Sequence, residues 1–101
     1  MEDLTQEGFR ENLNSKVQVK LDDTNSVELE LFECNDLGST PQQEQFSLIL
    51  RGPQEPLLPQ MIYPMEHEKF GSFSLFIVPI RRDKDGLYYE AIFNRFPEKS
   101  A

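Results

Sequence analysis

The stretch from Phe70 to Asn94 reads F-G-S-F-S-L-F-I-V-P-I over 70–80, R-R-D-K-D-G over 81–86 and L-Y-Y-E-A-I-F-N over 87–94. Two arms rich in aromatic and β-branched residues flank a polar segment that ends in Asp85-Gly86. That pattern predicts a β-hairpin. Side chains alternate across a strand, so Phe73, Leu75 and Ile77 face one way, and Ser74, Phe76, Val78 and Ile80 the other. In the second arm Tyr89, Ala91 and Phe93 share one face, and Tyr88, Glu90, Ile92 and Asn94 the other. Both faces of the first arm are largely apolar, so it is expected to be covered on both sides.

Upstream, the same alternation recurs. Val17, Val19 and Leu21 alternate with Lys16, Gln18 and Lys20. Val27, Leu29 and Leu31 alternate with Glu28 and Glu30. The polar cluster from Asp22 to Ser26 joins these runs as a hairpin. Phe46, Leu48 and Leu50 point inward in a third strand, with Ser47, Ile49 and Arg51 outward. Met61, Tyr63 and Met65 alternate with Ile62, Pro64 and Glu66 in a fourth, where Pro64 marks an edge or a bulge. Between these two, Pro53, Pro56 and Pro59 stiffen a crossover that cannot enter a sheet, with Leu57 and Leu58 tucked against the body. At the start, Thr5 N-caps a short helix, Glu7 sits in its first turn, and Leu4 and Phe9 have the spacing of a hydrophobic staple.

The expectation is a mainly β domain: one small antiparallel barrel, roll or sandwich. It has about six strands, at 16–21, 27–34, 45–51, 60–67, 73–80 and 87–94, and one helix at 5–14 that lies on the sheet or closes an opening. A length of 101 residues suits a single domain with one modest core.

Composition narrows the partners. The net charge is −8, so a phosphate backbone or an anionic membrane is repelled, and nucleic-acid binding is not expected. The longest apolar run, Leu75 to Ile80, is too short to span a bilayer. No signal-peptide pattern opens the sequence, so the default location is cytoplasmic, with a secreted or virion-like assembly left open. The single cysteine, Cys34, cannot form an intrachain disulfide and reads as a buried core thiol.

No catalytic constellation is visible. Glu66 and His67 are adjacent, so they face opposite sides of a strand. One histidine without a second histidine or cysteine is a poor metal site. Neither a nucleophile elbow nor a phosphate-binding glycine loop is present. No enzymatic activity, cofactor or metal is therefore expected. Arg51 and Glu90 stand in apolar strands as a candidate ion pair. Together with Glu66, His67, Tyr89 and Asn94 they form a candidate polar patch for a partner's loop or terminus. The plainer alternative is that His67 is a hydrogen-bonded structural residue and that the charges serve structure.

The second half resembles a bacterial family of small domains of unknown function. The residues that carry the resemblance are Phe46-Ser47-Leu48, Arg51-Gly52-Pro53, Leu58-Pro59-Gln60, Tyr63, Glu66-His67, Phe73, Leu75-Phe76, Val78-Pro79 and Tyr89-Glu90-Ala91-Ile92-Phe93-Asn94. No catalytic residue or cofactor comes with it. Some relatives lie beside phage-tail-collar-like proteins, which implies an assembly or appendage.

One short helix cannot cover the second face of a six-stranded sheet. Phe76, Val78, Ile80, Tyr88 and Ile92 on that face are the candidate interface, for self-association or for another protein. The first functional expectation is therefore a non-enzymatic interaction or assembly module. The alternatives are an acidic inhibitor or immunity protein for a basic toxin, recognisable by carboxylates clustered on one face, and a small-ligand barrel, recognisable by a cavity.

Overall fold

The computed structural model describes residues 4–95. The described chain runs α1 (Gln6–Glu11), β1 (Lys16–Lys20), β2 (Ser26–Asp36), β3 (Glu44–Gly52), β4 (Met61–His67), β5 (Gly71–Asp83) and β6 (Gly86–Arg95). All strand pairs are antiparallel, and the sheet closes on itself in the order β1-β2-β3-β6-β5-β4. Of the expected barrel, roll or sandwich, the barrel is what forms.

The chain builds this barrel as two three-stranded meanders. The crossover after β3 carries it from the first meander to the second. One seam between the meanders is long: β3 pairs with β6 from Glu44 opposite Arg95 to Gly52 opposite Leu87. The other is short: β1 meets β4 only from Val17 opposite His67 to Val19 opposite Met65. Pro64 falls just past this short seam, where a missing N–H costs no β1 pairing.

Alternation fills the interior. Val17, Val19, Phe46, Leu48, Leu50 and Ile77 are fully buried. The helix closes one end. Thr5 Oγ1 accepts the Gly8 N–H at 2.9 Å as an N-cap. The helix spans only Gln6–Glu11 rather than 5–14, because Asn12 caps it and Asn14 turns left-handed at φ 74°. Its Phe9 enters the barrel mouth, with ring centroids 4.8 Å from Phe70, 5.3 Å from Phe93 and 6.0 Å from Phe46. Leu4 packs half-buried against the same core.

The crossover closes the other end. Leu58 is buried and its N–H donates to Tyr89 Oη, while the Tyr63 hydroxyl donates to the Pro59 carbonyl at 2.6 Å. Leu57, expected to tuck in beside Leu58, is exposed instead, because neighbours in an extended segment point opposite ways.

Two bulges depart from strict alternation. In β2 the register shifts between Leu31 and Glu33, so Phe32 is an extra residue on the outer side and Cys34 returns to the core. In β5 it shifts between Pro79 and Arg81, and Ile80 is the extra residue. The β5–β6 hairpin turns at Lys84-Asp85, with Gly86 at φ 145°.

Other expectations need correction. Leu21 leaves the β1 face and is exposed, because its N–H bonds the Asn25 carbonyl and turns the chain away. Ser47 and Ile49 face outward yet are buried, since β3 is flanked by β2 and β6 along its length. The first hairpin arm is covered on one side only: Leu75 and Ile77 are buried, while Phe76 and Ile80 are exposed.

Candidate functional site

Hairpin register assembles the outer apolar face. Ile62 on β4 stands opposite Phe76 on β5. On β6, Ile92 lies two residues beyond Glu90, which is opposite Val78. The alternation thus carries Ile62, Phe76 and Ile92 across three neighbouring strands on one outer surface. Their exposures are 61 %, 48 % and 59 %. Val78 is half-buried beside Glu90. Ile80 is exposed further along, toward the hairpin tip.

Tyr88 does not belong to this exposed set. It is buried by an aromatic and cationic belt on the same outer surface. The Phe32 ring meets Tyr88 edge-on with centroids 5.3 Å apart. The Arg81 guanidinium lies 4.2 Å over the Tyr88 ring, and that of Arg51 lies 4.7 Å over Phe32. Both bulges supply this belt: one places Phe32 outward, and the other brings Arg81 opposite Tyr88. Ile62, in contrast, was missed. The signal lay in the Glu68-Lys69-Phe70 turn, which sets His67 opposite Gly71 and hence Ile62 opposite Phe76.

The six residues of the candidate polar patch do not converge. Arg51 pairs with Glu30 at 2.7 Å rather than with Glu90, because register puts Glu30 directly opposite Arg51 and Ile49 opposite Glu90. The hydrogen bond to the Glu30 carboxylate, then that to Tyr88, raises the Arg51 pKa. Glu66 points outward and pairs with Lys20 at 3.2 Å. His67 points inward and is buried. Its Nδ1 accepts the Lys69 N–H at 2.9 Å, and its Nε2 lies 2.8 Å from Ser15 Oγ. That geometry ties the β4–β5 turn to the start of β1. Tyr89 lies inside at the crossover end, bonded to Leu58. Asn94 accepts from the Gln43 side chain on the outer surface.

The carboxylates are dispersed. Asp22 caps its own turn through Thr24 and Asn25. Asp36 accepts from Ser39, and Asp83 from the Asp85 N–H. Across the first hairpin, Gln18 donates to Glu28 and Lys16 approaches Glu30 at 4.0 Å. The Cys34 thiol is buried, and burial pushes its pKa up. Among the described residues no group of three or more His, Cys, Asp or Glu side chains could hold a metal ion, and no helix is long and apolar enough to cross a membrane.

A groove of about 350 Å3 lies where the short seam opens, lined by Lys20, Leu21, Asp22, Asp23 and the β4 residues from Met61 to Pro64. It adjoins the apolar face through Ile62.

Fold and surface define a small closed barrel with a filled interior and an apolar outer face. Residues 4–93 match the family described as Domain of unknown function (DUF6916), and the chain belongs to that family. No curated protein and no solved structure matches it.

Proposed function

We propose that this domain is a non-enzymatic interaction module that joins a larger protein assembly through the outer face of β4, β5 and β6. One observation carries the reading: Ile62, Phe76 and Ile92 are exposed apolar residues on the outer side of three neighbouring strands, over a barrel core of packed apolar side chains. Fully burying an exposed side chain of this size contributes roughly 1.5–3 kcal/mol, so a partner that covers these half-exposed residues gains about half of that at each. The resemblance of its second half points to a phage-tail-like or fibre-like assembly.

Mimicry of a polyanion is less well supported, because the carboxylates are spread over several turns and many are engaged within the barrel. A small-ligand barrel is less well supported too. Phe9, Phe46, Phe70, Phe73 and Phe93 pack on one another at the helix end instead of lining a void.

The test is comparative capture from the native host, with an untagged copy co-expressed. The wild type should retain either a defined set of proteins or the untagged copy. Phe76→Asp should lose them while remaining folded. Retention unchanged by Phe76→Asp would overturn the assignment of the face.

A further inference from the structure

We infer that the groove beside the short seam receives an extended segment of a partner protein that is both apolar and basic. The inference rests on the interaction reading above and names the partner's chemistry. Its first support is a partly open strand. β4 pairs with β5 along its whole length, but with β1 only over Met65 to His67. From Met61 to Pro64 the β1 side of β4 has no ladder partner among the described residues, because Leu21 turns away toward Asn25. An open strand edge is a template for an added strand. Other strand edges are also open, and the one on β5 beyond its pairing with β4 carries Pro79, a bulge at Ile80, and Arg81 and Arg82, features that block strand addition. On the β4 edge only Pro64 has that effect, and it lies at the end next to the seam.

The second support is side-chain chemistry. Leu21, Met61 and Ile62 are exposed along the groove at 41 %, 49 % and 61 %. Added strands gain specificity when alternate side chains find such apolar seats. The third is charge. Asp22 and Asp23 stand on the rim, and the Lys20 charge is engaged by Glu66. The whole chain carries −8, so a second copy brings like charge to this rim, whereas lysine or arginine residues beside apolar ones bring the opposite sign.

The probe is a displayed library of random linear peptides, panned on the whole domain. The selected peptides should carry apolar residues at alternate positions with lysine or arginine between or beside them. Their affinity should fall roughly ten-fold or more for Ile62→Asp and for Asp23→Lys, both substitutions at exposed positions. Thermal melts establish that the variants are folded. Failure to select any peptide, selection without basic bias, or an affinity for either variant equal to that for the wild type would overturn the groove assignment. Host partners lost on Phe76→Asp but retained by Asp23→Lys and by Leu21→Asp would leave the interaction reading standing and remove the groove from it.

Discussion

The hydroxyl of Tyr89 accepts the backbone N–H of Leu58 at 3.0 Å, in a place where both residues are buried. This bond fastens the proline-rich crossover to the inside of the barrel and so closes one end. Tyr89→Phe keeps the ring and leaves that N–H unpaired. A buried donor without a partner costs about 1–3 kcal/mol. Urea denaturation should show a loss of that size with an unchanged m-value, and an unaltered midpoint would show that the bond contributes nothing.

Phe9 anchors the helix in the core. Phe9 is fully buried among Phe46, Phe70 and Phe93. Phe9→Ala should cost roughly 3–5 kcal/mol, a large share of the roughly 5–15 kcal/mol that stabilises a domain. Thr5→Ala removes only the cap and should cost about 0.5–2 kcal/mol. Thermal unfolding of the two variants checks the order, with Phe9→Ala the lower in Tm.

Gly86 begins β6 where it passes close to the end of β3. A Cβ at this position would lie 2.2 Å from the Gly52 carbonyl oxygen, and the backbone φ of 145° is one that L residues rarely adopt. The clash is with backbone, so no rotamer change relieves it. Gly86→Ala should therefore destabilise by about 1–3 kcal/mol. Gly52→Ala meets the end of the Leu29 side chain at 2.4 Å instead, a contact that side-chain movement can ease, and should cost less. Parallel denaturation curves test that ranking.

Much of this barrel was legible in short-range pattern. The alternation of Val17 with Val19, of Phe46 with Leu48 and Leu50, and of Tyr89 with Ala91 marks the interior, and those residues are buried. Closure was not legible, because the pairing of Val17 with His67 joins residues far apart in sequence and leaves no local signal. The bulges were not legible either. Phe32 reads as one more strand residue, yet as an extra residue it turns outward and helps bury Tyr88, which alternation alone places on the open face. The polar patch failed for a simpler reason. Motif residues adjacent in sequence, such as Glu66 and His67, belong to opposite sides of the wall, and Tyr89 is held at the crossover end while His67 joins the β4–β5 turn to β1.

Acid should loosen the β1–β2 turn. The Asn25 side-chain amide, then the Thr24 and Asn25 backbone N–H groups, hold the Asp22 pKa down at about 2. A carboxylate with a depressed folded-state pKa contributes stability that is complete above its unfolded value and is lost as pH falls through the folded one. The loss should therefore run from the usual carboxylate range, about 4, down to about 2. Asp22→Asn keeps the turn's shape and removes the titration. Across that window the wild type should lose more stability than the variant, and parallel pH profiles would contradict the assignment.

The most direct test of the interaction face is carbene footprinting of side chains, comparing dilute purified protein with the same protein in native host extract. The account predicts that labelling of Ile62, Phe76 and Ile92 falls in the extract, while Leu37 and Leu57, exposed elsewhere on the barrel, stay labelled. Equal labelling of the three residues in both settings would contradict it.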